Sequence, residues 1–194
     1  MSAVRKHKSN TPFIVLMLVT AAAVFGIAYY VLKDDLYFLQ KKSTSPDKSI
    51  TLYIKQIQTA NGNGYRISRR VEDSKLMYYE WTASDLQTVW SPDSTKCAVV
   101  YETSAGQVTE VLECDENRLI QASSMSALSL RYHMGETGFE LSDEIGINVH
   151  FTGWQDGNIM KYTFDTVNTS GIEITGEFAA DYADGFKVVY FSKN

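Results

Sequence analysis

Proline is nearly absent. Pro12, Pro46 and Pro92 are the only three, so the chain beyond position 92 holds no residue that interrupts a strand ladder. Cysteine is as sparse: Cys97 and Cys114 stand without a Cys-x-x-Cys spacing or a second pair. That excludes a dithiol redox centre and a disulfide framework. Neither cysteine lies near the apolar segment at the N-terminal end, which excludes a bacterial lipid-modified anchor. The histidines, His7, His133 and His150, have no spacing that suits zinc. There is no Gly-x-Ser-x-Gly elbow, no Gly-rich phosphate loop and no His-Glu-x-x-His. No cofactor or metal is expected, and the chain reads as a binder more than an enzyme.

Acidic residues are missing from one region only. Arg5, Lys6 and Lys8 precede the apolar segment, where no acid occurs. From Lys33 onward there are 15 basic and 23 acidic residues, 15 − 23 = −8. Phosphate binding needs Lys and Arg to release counterions, so nucleic acid and anionic lipid are poor partners for that part.

The longest feature present is residues 12–32, PFIVLMLVTAAAVFGIAYYVL, 21 positions without a charge. As a helix they span about 32 Å, close to the roughly 30 Å hydrocarbon core of a bilayer. Thr11 can cap the helix, and Pro12 sits at the first helical position, where its missing N–H costs nothing. The expectation is a single membrane-spanning helix over 11–32. The basic residues before it make residues 1–10 a cytoplasmic tail and put the chain beyond the helix on the extracytoplasmic side. A cleavable signal peptide is the competing reading, with Phe13–Val19 as its apolar core and Ala21-x-Ala23 as the cleavage site. Apolar character continues to Leu32, which favours an uncleaved anchor.

Residues 33–48 read as a juxtamembrane linker and 49–194 as a β-rich domain. Ile50, Leu52 and Ile54 alternate with Thr51, Tyr53 and Lys55; after Asn61-Gly62-Asn63-Gly64 the alternation resumes with Tyr65 and Ile67. Further strands are expected at Leu76–Trp81, Gln87–Trp90, Lys96–Thr103 and Gln107–Cys114. A short helix is expected at Ser124–His133. Ile147, Val149 and Phe151 then alternate up to an Asp156-Gly157 turn that sets Tyr162 opposite Phe151 and Phe164 opposite Val149. Ile172–Phe178 and Phe186–Ser192 close the chain. The whole predicts a mainly β fold, an antiparallel meander forming a sandwich-like domain.

With a two-residue turn at Ala105-Gly106, hairpin partners sum to 211, and 97 + 114 = 211. Cys97 and Cys114 would then be a directly opposed pair with Cα atoms about 4.5 Å apart, short but open to a structural disulfide. The alternative is two buried thiols.

Trp90-Ser91-Pro92-Asp93-Ser94-Thr95-Lys96 precedes the strand CAVVYE. It resembles the Trp-Ser-Pro-Asp-Gly-Lys element of bacterial β-propeller repeats of the periplasmic Tol-associated type. Ser45-Pro46-Asp47-Lys48 is a second copy and Trp154-Gln155-Asp156-Gly157-Asn158 a degenerate third. The interval from Trp90 to Trp154 is 64 residues against about 40–45 for a propeller blade, which argues against a complete propeller. The layout of anchor, linker and β-domain resembles small single-pass membrane-anchored bacterial proteins, whose domain families offer no activity to carry over.

Trp81, Trp90 and Trp154 are candidate ligand-binding aromatics, with core packing as their alternative use. The expected role is a membrane-anchored extracytoplasmic binding or accessory module, held by residues 12–32 and contacting an envelope protein. The alternative is a cell-envelope enzyme or carbohydrate binder, with tryptophans stacking on sugar and Asp143 or Glu144 as the acid.

Overall fold

The computed structural model describes residues 11–32, 40–70, 76–142 and 145–194. The basic tail, residues 33–39 and the Asp143–Glu144 pair lie outside them. The chain divides into two units, Met1–Gln40 and Lys41–Asn194.

The first unit contributes α1 (Thr11–Leu32). Its described side chains run from Val15 to Tyr29 and are almost all exposed apolar groups. Among the described residues no helix is long and apolar enough to cross a membrane.

The second unit is mainly β: three antiparallel sheets of four strands, each a simple meander. Sheet 1 holds β1 (Lys41–Thr44), β2 (Thr51–Thr59), β3 (Gly62–Arg70) and β4 (Leu76–Thr82). Sheet 2 holds β5 (Leu86–Trp90), β6 (Lys96–Thr103), β7 (Gly106–Glu113) and β8 (Arg118–Ile120). Sheet 3 holds β9 (Asn148–Trp154), β10 (Ile159–Val167), β11 (Glu173–Asp181) and β12 (Lys187–Lys193). Between β8 and β9 runs α2 (Ala122–Glu136). Residues 41–48, expected as linker, thus supply β1 and the first turn. The expected sandwich-like arrangement takes the form of a stack of three sheets.

Periodicity explains the stack. In sheet 1, Leu52, Ile54 and Ile67 share one buried face with Trp81. That face packs on Leu86, Cys97, Val99 and Leu112 of sheet 2. The opposite face of sheet 2, with Ala98 and Val111, packs on Phe151, Tyr162 and Phe178 of sheet 3, and Leu130 and Met134 of α2 join the same core. Each large buried side chain contributes roughly 1.5–3 kcal/mol. Four-stranded meanders stacked face to face are the arrangement of propeller blades, though three do not make a ring.

The cysteine register differs from expectation. Cys97 lies opposite Leu112, and the turn residues are Ser104 and Ala105. The Thr103 hydroxyl accepts from Ala105 N (3.2 Å) and donates to Gly106 O (2.9 Å), which closes the turn one residue early. Gly106 adopts φ +115°, open to glycine alone, and so begins β7 instead of sitting in the turn. The thiols are therefore diagonal neighbours on one face, both free and fully buried, and no disulfide joins them.

The Ser-Pro-Asp copies build matching turns between the first and second strands of sheets 1 and 2. Ser45 Oγ donates to Asp47 Oδ1 (2.6 Å) and accepts from Ile50 N (3.0 Å). Ser91 Oγ donates to Asp93 Oδ1 (2.6 Å) and accepts from Lys96 N (3.0 Å). Asp47 and Asp93 each also take the backbone N–H and hydroxyl two residues on, and Lys48 and Ser94 turn left-handed at φ +64° and +66°. In sheet 3, Asp156 Oδ1 does the same work without serine or proline, accepting from Asn158 N and Ile159 N.

The three turns lie side by side. Asp47 N donates to Ser94 Oγ (3.1 Å), and Lys96 Nζ donates to Gly157 O (3.2 Å) and Asn158 Oδ1 (3.0 Å). Gly157 is required by this approach, because a Cβ there would stand 2.3 Å from Asp93 Oδ2.

The turns can be tested in two ways. Gly157→Ala should lower stability by about 1–3 kcal/mol, the usual cost of overpacking, since Asp93 is pinned and cannot swing away. Gly146→Ala, with nothing within 4 Å, is the control, and thermal melting compares them. Second, the Asp47 carboxyl is held well below its usual range by the hydroxyl of Ser45 and the N–H and hydroxyl of Ser49. Partial burial pulls Asp93 up, yet the hydroxyl of Ser91, the N–H and hydroxyl of Thr95 and the charge of Lys96 leave it lowered. A carboxyl depressed in the folded state stabilises fully above its unfolded pKa and loses that contribution as pH falls through the folded value. The difference in Tm between wild type and an Asp47→Asn/Asp93→Asn variant should therefore be full above about pH 4 and shrink below it. A difference independent of pH would refute the assignment.

Candidate binding cleft

Antiparallel meanders place alternate turns at opposite ends. The end away from the Ser-Pro-Asp turns carries the β2–β3 tip, the β4–β5 link and the β6–β7 tip. These three enclose a cleft of about 850 Å³ between sheets 1 and 2. Its walls are mostly hydrogen-bonding groups: Gln56, Gln58 and Asn63 from the first tip, Ser84 from the link, and Glu102 and Ser104 from the second tip. Tyr65 braces it, accepting from Gln56 Nε2 (3.2 Å) and donating to Ser84 O (3.3 Å).

One residue deeper along β4 and β6, the seam is locked by a buried carboxylate. Glu110 on β7 accepts from Trp81 Nε1 across the sheets, and Tyr101 bonds it from the neighbouring strand. Burial first, then the Glu110 charge and hydrogen bond, push the Tyr101 phenol up to about 12, so it stays a donor at neutral pH. Each hydrogen bond to a charged group of this kind contributes about 1.5–3 kcal/mol. The cleft walls are therefore rigidly spaced.

The arrangement can supply amide and hydroxyl donors and acceptors with one charge, Glu102. It presents no histidine or thiol beside a nucleophile. Among the described residues no group of His, Cys, Asp or Glu is placed to hold a metal. His133 packs on the Phe191 ring (5.4 Å), and His150 faces Asp165 (3.3 Å).

The tryptophans do not converge. Trp81 is buried at the seam near the cleft end. Trp90 and Trp154 end β5 and β9 at the other end of the sheets and are half-buried. Each reaches the first strand of the preceding sheet: Trp90 Nε1 donates to Ser43 Oγ (2.9 Å), and Trp154 Nε1 to Val89 O (3.0 Å). Sequence reasoning singles out these rings and misses the cleft, whose lining comes from tips carrying no recognisable motif.

No family model and no curated protein matches the sequence. Among solved structures the chain is similar to an acylaminoacyl peptidase of Pyrococcus horikoshii, with a TM-score of 0.39 and 11% identity over 75% of this chain and 23% of the peptidase. It is also similar to the β-propeller domain of the Trilobed protease from Pyrococcus furiosus, which has an open velcro topology. There the TM-score is 0.41, with 10% identity over 80% of this chain and 44% of that one. The chain spans less than half the length of either, and the three-sheet arrangement rests on its own register and packing.

The cysteines carry no chemistry of the site. Burial and the neighbouring Cys114 push the Cys97 thiol far up, and burial pushes Cys114 up to about 11. Neither forms a thiolate near neutral pH, so an aromatic disulfide reagent should titrate no thiol in the native protein and two after unfolding in denaturant. Rapid native reaction at either position would contradict the packing of this seam.

Proposed function

We propose that the protein is a membrane-anchored binding or accessory module, with its β-domain outside the cytoplasm and an envelope protein as its partner. The cleft between sheets 1 and 2 carries this reading. It is concave and polar, walled by amides and hydroxyls on rigid hairpins, and it offers hydrogen bonds without an acid–base or nucleophilic pair. A surface so built supports recognition through hydrogen bonds. The 21 uncharged residues at 12–32, within the helical span of α1, support the anchor, and Arg5, Lys6 and Lys8 support a cytoplasmic N-terminus. Tethering raises the local concentration of a weak binder toward its target.

The test has two parts. Ser170→Cys places a thiol on an exposed turn of the β-domain. A membrane-impermeant maleimide should label it in intact cells; labelling only after permeabilisation would reverse the orientation. A photo-cross-linking residue at Ser104 should then yield a discrete protein adduct in those cells, one that is weakened several-fold by Gln58→Ala/Glu102→Ala and missing from position 170. Equal adducts from 104 and 170, or none, would remove the cleft as the binding surface.

A further inference from the structure

Two sheet faces remain outside the stack. The outward face of sheet 1 alternates with Leu52, Ile54 and Ile67. It carries Lys42, Tyr53, Lys55, Arg66, Tyr78 and Glu80. Arg66 pairs with Glu80 (2.6 Å) and lies over the Tyr78 ring (4.8 Å), while Lys42 lies over Tyr53 (5.7 Å). Its described charges sum to 3 − 1 = +2, on a domain that is strongly acidic as a whole.

The outward face of sheet 3 alternates with Tyr162, Phe164 and Phe178. Its charges are Lys161, Asp165, Glu173, Glu177, Asp181 and Lys187, which sum to 2 − 4 = −2. Tyr190 stands among them and donates to Glu177 (3.2 Å). The two faces thus have opposite charge, and both present tyrosine, a side chain enriched where proteins meet.

Their directions also match. Within the chain, each junction joins a face of one sheet to the preceding-side face of the next, as Trp90 and Trp154 show by reaching backward. The outward face of sheet 1 is a preceding-side face and that of sheet 3 a following-side face, and among the described residues no further sheet packs on either. At the position equivalent to Trp90 and Trp154, sheet 1 carries Thr44.

We propose that the acidic face of sheet 3 docks on the basic face of sheet 1 of a second copy of this chain, and that two copies close head to tail into one ring of six sheets. The contact is heterologous, so it must close or propagate. Stacked four-stranded sheets close as rings of about four to eight. The three sheets of the described residues are too few for a ring, three copies would give nine, and two give six. The junction between copies lacks the tryptophan bridge and the apolar lining of the internal seams, and it is held by charge. It is therefore reversible and sensitive to salt.

The experiment uses the full chain in detergent, with protein mass per particle measured by sedimentation at low and high ionic strength. Two reversals are compared: Lys55→Glu/Arg66→Glu on sheet 1, and Glu173→Lys/Glu177→Lys on sheet 3. Wild type should hold two chains per particle at low salt and move toward one as salt rises. Each reversal alone should hold one, because it opposes like charges. An equimolar mixture of the two should recover two chains, because both junctions then regain opposite charges. A second measurement covers a reversal that fails to fold. In wild type, carbodiimide should link Lys42 or Lys55 to Glu173, Glu177 or Asp165. Sheet 2 separates these faces within one copy, so the link must join two. A single-chain wild type at low salt, no recovery in a mixture of folded reversals, no such cross-link, or open polymers would each overturn the ring.

Discussion

Sheet 2 is the constraint on which the β-domain depends. In most antiparallel sheets one face meets water and side chains alternate. In β6 the alternation fails: Cys97, Ala98 and Val99 are consecutive and fully buried, because one neighbour packs on Cys97 and Val99 and the other on Ala98. Nothing wet remains on the middle of this strand. Sheet 1 and sheet 3 each need only one apolar face, and each finds it on opposite sides of sheet 2. Removing either neighbour would expose a complete face of a sheet that has no polar one to offer.

Polar groups then set the angle and spacing that apolar packing leaves loose. At the cleft end, Glu110 is fixed by Trp81 and Tyr101. At the turn end, Lys96 joins sheets 2 and 3 through Gly157 and Asn158. Glu113 accepts from Arg118 (2.6 Å) and from the Tyr182 hydroxyl (2.6 Å), which brings the sheet 3 aromatic against sheet 2. Hydrophobic contact is nearly indifferent to a small rotation, whereas a buried carboxylate is not, since its cost returns as soon as a donor slips away. The cleft inherits its width from the Glu110 point, which joins the two sheets that form it.

Much of the fold is legible in the sequence where one face is wet. Val149 and Phe151 alternate with polar neighbours and lie opposite Phe164 and Tyr162 as expected, although the register beside the turn is offset by one and an irregularity between Lys161 and Tyr162 restores it. The Ser124–His133 helix is found within α2. The cysteine register is not legible, because it turns on which residue closes the tip. Ala105-Gly106 and Ser104-Ala105 both read as turns, and the choice rests on a Thr103 hydroxyl that caps either end of the loop. The count of sheets is obscured by α2, which lengthens the interval between Trp90 and Trp154 beyond a regular repeat. The cleft is invisible for a different reason. Gln58, Ser84 and Glu102 are ordinary polar residues on separate tips, and only stacking brings them together.

The same stacking logic distinguishes an internal seam from an end. Between sheets 1 and 2 the facing residues are Leu52, Ile54 and Ile67 against Cys97, Val99 and Leu112, with tryptophan as the bridge. On the outward faces the alternating positions carry lysine, arginine, aspartate, glutamate and threonine with tyrosine among them. Thr44 marks the change at a single position, since among the described residues no strand of a preceding sheet stands where a tryptophan there would reach. A stack ended by an apolar face would be driven to bury it against whatever it met. Ending with charge of opposite sign at the two ends keeps each face soluble by itself and complementary to the other. The proposed ring uses that complementarity in one order and one direction.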